Sequence, residues 1–314
     1  MSPTILHLIS YACVVVLILA MVIKSKKILN MPLHLRWELY PVAHEGKKAS
    51  YGGSFMEEVD WWTKPRHSSL IGELKVMIPE ILFLKALWES NRSHWVSSFP
   101  FHFGLYLLVF TIVLFIVGAV MAIAGVDMAS DAGFVGILNS ATGIIGVVGL
   151  ILTALGSIGL LLRRLTDREY APYTTGADLF NLVFFLAAMI AGLYVAFLTE
   201  SGIAGTRGYI QSLITFDLGA QTAGTSVVVM VLLFSLLTAY VPLTHMSHFF
   251  TKYFMYHDIR WDDSPNDDGK ADDKIMEYLN YKVSWDAEHI NSKGKKTWAE
   301  IATENPFQEK EETK

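Results

Sequence analysis

The chain has 314 residues, of which 52% are hydrophobic and 18% charged, with a net charge of −5. Soluble domains carry about a quarter charged residues, so this apolar excess, at a mean hydropathy of +0.37, points to the bilayer. A single cysteine, Cys13, excludes an intrachain disulfide and any multi-cysteine metal or iron–sulfur site, and no basic face of the kind that binds nucleic acid is visible.

About 20 mostly apolar residues are needed to cross the hydrocarbon core, and five stretches qualify. The first runs from about Thr4 to Ile23. It lacks a basic amino-terminal region and a small-residue cleavage site, so it reads as a retained span rather than a signal peptide.

A long connection, 25–94, follows. Within it Ile71, Leu74, Ile78, Ile81, Leu82 and Trp88 recur at helical spacing, which predicts a helix over Leu70–Trp88 lying along the membrane surface and bent at Pro79. The second span, about Trp95 to Val126, carries His102 near its start. The third, about Gly133 to Leu162, presents Gly143, Gly146, Gly149, Gly156 and Gly159, small residues that let helices or a flat ligand approach closely; helix packing is the simpler use. The fourth runs from about Leu179 to Thr199. The fifth, about Leu218 to Thr251, carries His245 and His248 near its end.

The polar tail, 252–314, holds the Asp262-Asp263 and Asp267-Asp268 pairs around Ser264, Pro265 and Asn266, which read as a solvated turn. It also holds Trp285, Trp298 and Phe307, which suit either a partner or the protein's own surface.

Lys and Arg set orientation. They crowd the first connection, from Lys24 to Arg92, and the third, with Arg163, Arg164 and Arg168. The second connection has only Asp127 and Asp131, and the fourth has Arg207 alone. That alternation puts the amino terminus in the periplasm and the carboxyl terminus in the cytoplasm. The expected fold is an all-α integral membrane protein, a five-transmembrane-helix bundle with a long cytoplasmic loop and a polar tail, divided into 1–24, 25–94, 95–251 and 252–314.

Ionisable residues within spans are costly and mark function. Here histidine is the exception in otherwise apolar helices. The second span leaves the cytoplasm and the fifth returns to it, so His102 and the His245/His248 pair share a depth. Two imidazoles on facing helices are what a bis-histidine haem requires. His245 and His248 are three residues apart and cannot both fill one axial position. A transporter would show polar residues at midplane and duplicated halves, and neither is apparent. A haem-free membrane anchor for a peripheral redox enzyme is the remaining alternative. For quinone chemistry the candidate proton-active groups are His7 and Asp178, and Arg92, Arg163 or Arg164 are candidates to pair with haem propionates.

The run Leu160-Leu161-Leu162-Arg163-Arg164-Leu165 followed by Thr174-Thr175-Gly176-Ala177-Asp178, together with Phe101-His102-Phe103-Gly104-Leu105 and the Pro242-to-His248 spacing, resembles the gamma subunit of membrane-bound respiratory nitrate reductase, over roughly Ser98 to Phe250. The segment Leu35-Arg36-Trp37-Glu38-Leu39-Tyr40-Pro41 is instead similar to the cytochrome b subunits of sulfate-reducer transmembrane redox complexes, the Tmc, Hmc and Dsr types. The nitrate reductase resemblance implies two histidine pairs for two stacked haems. One pair falls on His102 and His248, and the other on Ile112 and Met230, so one haem b is expected, with His102 and His248 as axial ligands to its iron and His245 as the alternative to His248. The resemblances further imply electron transfer between menaquinone and a cytoplasmic iron–sulfur subunit similar to heterodisulfide reductase. A periplasmic cytochrome c or other subunits would complete a respiratory complex in the bacterial inner membrane.

Overall fold

In a computed structural model of the protein, residues 1–30, 43, 45, 57–65, 69–199, 202–221, 224–256, 261, 270–285 and 294–304 are described. Among these the regular structure is helical, with an isolated antiparallel bridge between Lys282 and Thr297. Among the described residues five helices are long and apolar enough to cross a membrane, as an all-α integral membrane protein requires. In lipid every backbone N–H and C=O needs an internal acceptor or donor, which a helix supplies within one segment. The chain divides into two compact units, one of Met1–Lys24 and Leu70–Phe249, the other of Ser25–Ser69 and Phe250–Lys314.

The first unit holds the spans. Helix α1 covers Pro3–Leu29. Helices α2, Leu70–Phe83, and α3, Lys85–Ser90, precede α4, Arg92–Ile123. The expected helix over Leu70–Trp88 is therefore interrupted at Leu84, in the left-handed region at φ 53°, while α2 runs on through Pro79. Asn91 starts α4 by accepting the amide of His94 on its side chain. At 32 residues α4 is about 48 Å long, well beyond a hydrocarbon core of about 30 Å.

Helix α5, Gly133–Thr166, lies against α4, and its glycines make the crossing. A Cβ on Gly156 would stand 2.6 Å from Phe101 Cα, and one on Gly149 would stand 3.1 Å from the Gly104 carbonyl and from Leu108. Gly159 faces Ser97 and Gly146 faces Thr111 in the same way. These glycines are thus taken up by helix packing. Helix α6, Gly176–Leu198, opens with a reciprocal Thr175/Asp178 capping box. It packs on α5, with Gly192 against Leu150, and closes a core of Phe101, Leu108, Leu150, Ala154, Phe185 and Met189.

Two features depart from the sequence expectations. The connection after α6 contains a helix, α7, over Gly202–Thr215, packed on α4, α5, α6 and α8. Helix α8 covers Thr225–Leu243 only, shorter than the expected Leu218–Thr251. Gly224 at φ 101° admits the chain, and Thr244, with extended φ −106° and ψ −179°, ends the helix. A 3-10 turn, His245–Ser247, then leads into α9, His248–Phe254. The two histidines therefore sit past the end of the last span rather than inside it.

In the second unit, α10, Lys270–Leu279, and α11, Trp298–Thr303, are joined through the Lys282–Thr297 bridge and the Trp298 amide, which donates to the Tyr281 carbonyl at 3.1 Å. Trp285 and Trp298 meet edge to face at 6.1 Å and both remain exposed. The Leu35–Pro41 segment, the Asp262–Asp268 turn and Phe307 lie outside the described residues.

Candidate functional site

His102 occupies the third turn of α4, half-buried against Phe101, whose ring stands at 83° to it and packs in turn on Phe185. Its Nδ1 lies 2.8 Å from the Ser98 carbonyl, four residues back, and 3.3 Å from the Ser98 hydroxyl. A carbonyl only accepts, so Nδ1 carries the proton and the lone pair resides on Nε2. This is the tautomer and the orienting contact expected of an imidazole that binds a metal through Nε2.

His248 comes from the opposite direction, as the first residue after the turn that ends α8. Its ring is exposed, and its centroid is 5.8 Å from that of His102, with the planes at 68°. Metal–imidazole bonds of about 2 Å put two axial rings on one metal roughly 6 Å apart, centre to centre. The observed spacing is close to that. Among the described residues no group of three or more His, Cys, Asp or Glu side chains converges in a way that would hold a bare metal ion. Two imidazoles alone suit a metal that brings its remaining ligands with it, as iron does in a porphyrin. The donor set therefore fits a haem.

His245 does not join this pair. It is exposed, and its Nε2 lies 3.7 Å from Asp178 Oδ1, on the side toward the start of α6. Asp178 also accepts from the backbone and hydroxyl of Thr175, at 3.0 and 2.8 Å, and pairs with Arg164 at 3.5 Å. Arg163 reaches Ser93 Oγ at 2.7 Å and Asp167 at 2.9 Å, and Arg92 lies over the Trp88 ring at 4.8 Å. The three arginines considered for propionates are thus each engaged within the protein.

His7 belongs to a different group, at the end of the bundle that carries the amino terminus. It is fully buried, with Nδ1 2.8 Å from the Pro3 carbonyl and Nε2 2.7 Å from Ser212 Oγ. Ser10 bridges Tyr209 Oη at 2.8 Å and Ser235 Oγ at 2.9 Å, and Tyr11 donates to the Leu213 carbonyl at 2.7 Å. Arg207 is buried beside Gly118 and donates to Asn139. The α7 side chains join partners far away in sequence, whereas the sequence marks this stretch only as a connection between spans. The available signal was a lone arginine and a tyrosine among glycines and apolar residues.

Neither position of the implied second pair, Ile112 or Met230, carries an imidazole. Ile112 is exposed on α4, while Met230 packs against a cluster of Leu6, Val195, Tyr209, Val227 and Val231.

Residues 86–261, more than half of the chain, match the family model described as nitrate reductase gamma subunit. No curated protein and no solved structure matches the chain.

Proposed function

Because the chain belongs to the nitrate reductase gamma subunit family, whose members are membrane subunits of redox complexes, we propose that it is a one-haem cytochrome b passing electrons between menaquinone and a cytoplasmic iron–sulfur subunit. The observation that carries this reading is the His102–His248 pair, two imidazoles on separate elements at a spacing suited to one iron. His102 and His248 would hold the group, and haem b supplies a one-electron ferric/ferrous couple when bound.

The chain's own residues do the positioning. The Ser98 carbonyl keeps the His102 proton on Nδ1 and the ring in one orientation. Phe101 and Phe185 wall the buried side and exclude water there. The α4–α5 glycine crossing holds α4 in a fixed register, which steadies the first ligand. Thr244 halts α8 so that the chain turns and presents His248. Ile112 and Met230, an aliphatic residue and a thioether where the family pattern has a second histidine pair, support a single haem rather than two.

With the positive loops inside, the pair lies at the cytoplasmic side of the inner membrane. The 25–94 and 252–314 segments are then the parts that meet the iron–sulfur subunit. A sulfate-reducer type of complex accounts for the length of the first of these, and a periplasmic cytochrome c is a candidate further subunit.

The test is reduction by quinol. A menaquinol analogue added to membranes containing the full chain and its co-purifying subunits should reduce a b-type absorbance that dithionite also reduces. Reduction by dithionite alone would remove quinone from the reading. No b-type absorbance would leave the haem-free anchor.

A further inference from the structure

We propose that Lys24, on α1, is a positioning residue for His248 and supplies the charge beside it. The proposal rests on the haem reading above. Lys24 Nζ donates to Ser247 Oγ at 2.6 Å and to the Thr244 carbonyl at 3.1 Å. Ser247 is buried and donates to the same carbonyl at 2.9 Å. Thr244 Oγ1 in turn accepts the Met246 amide at 3.2 Å. The turn from Thr244 to Ser247 is thus tied at its carbonyl, its hydroxyls and an amide, and its next residue is His248.

The chemistry suits a cation. The Thr244 carbonyl stands just past the end of α8 and accepts the Ser247 amide at 3.4 Å as well as the Ser247 hydroxyl, and the Lys24 ammonium adds a charge-assisted donor to the same oxygen. Here α8 ends in Tyr240-Val241-Pro242-Leu243, and the lysine is delivered by α1, more than two hundred residues away in sequence. Among the described residues no carboxylate lies within ion-pair distance of Lys24, whose ammonium donates to Ser247 Oγ and the Thr244 carbonyl. A cation held beside an axial imidazole disfavours the more positive of the two iron states. Lys24 also lies outside the residues matched by the family model, so the assignment stands on this chain's own contacts.

The experiment compares wild type, Lys24→Met, Lys24→Arg and Ser247→Ala as full-length protein in membranes, by haem content, midpoint potential and low-spin electron paramagnetic resonance. Lys24→Met is expected to lower the midpoint potential and to broaden or split the low-spin signal. Lys24→Arg, which keeps charge and donors, should restore both. Ser247→Ala should alter the low-spin signal while leaving the potential near wild type. Should Lys24→Met fail to accumulate, Ser247→Ala decides, and an unchanged signal there overturns the proposal. A Lys24→Met protein with wild-type potential and signal also overturns it while the haem reading stands. A wild type without haem removes both.

Discussion

The carbonyl of Ser98 and the Nδ1 of His102 stand 2.8 Å apart within one turn of α4, closer than the Ser98 hydroxyl, which is 3.3 Å from the same nitrogen. The backbone, not the side chain, therefore makes the main contact orienting the ring. Ser98→Ala should keep its haem at the wild-type ratio, because the carbonyl remains. Haem quantification on the purified variant checks this, and a large loss would assign the orienting role to the hydroxyl.

His245 and His248 part company at the end of α8, one toward Asp178 and the other toward His102. Replacing His245 with Ala should leave haem bound, since the contact it loses is an exposed one of modest value. A variant that loses its haem absorbance at His245 and keeps it at His248 would reverse the ligand assignment.

At the α4–α5 crossing, Gly156→Ala places a methyl 2.6 Å from the Phe101 Cα, where backbone meets backbone and neither yields easily. Overpacking of this kind costs about 1–3 kcal/mol, so the thermal midpoint in detergent should fall. Gly208→Ala, with nothing within 4 Å of the added atom, is the control. It should gain about 0.4–1 kcal/mol. Equal midpoints for the two variants would contradict the packing described.

In the second unit, the backbone amide of Thr297, followed by its hydroxyl, bonds the Glu300 carboxylate and holds it below its ordinary range. A carboxyl depressed by folding contributes stability above its unfolded value of about 4.3 and loses it as pH falls through the lower folded value. The α11 turn should accordingly be retained at neutral pH and open on acidification below that point. Amide resonances of Trp298 to Thr303 followed against pH report this. A turn equally ordered in strong acid would show that the capping box is not what holds it.

The five spans were legible because a stretch of about 20 apolar residues has few other uses. His102, His245 and His248 were legible as candidates because polar groups within or just beyond such stretches stand out. Their joint geometry was harder to read, since a helix over Leu218–Thr251 would have placed His245 and His248 on a continuous surface. The actual break at Thr244 depends on backbone geometry, and no glycine marks the end. Leu84 shows the same limit, a non-glycine residue in the left-handed region that ends α2, where the sequence marks only a bend at Pro79. Helix α7 was hidden by Gly202, Gly205 and Gly208, which lower helix propensity. Contacts of Ile203 with Gly143, Arg207 with Asn139 and Ser212 with His7 stabilise it instead, and each joins residues far apart in sequence. The Lys24 contact with the Thr244 turn was unreadable for the same reason.

Haem content per chain tests the central claim most directly, measured as the pyridine haemochrome of purified wild type, His102→Ala and His248→Ala. The account predicts a ratio near one for wild type and near zero for both variants. A wild-type ratio of zero or two, or a variant that keeps its haem, would contradict it.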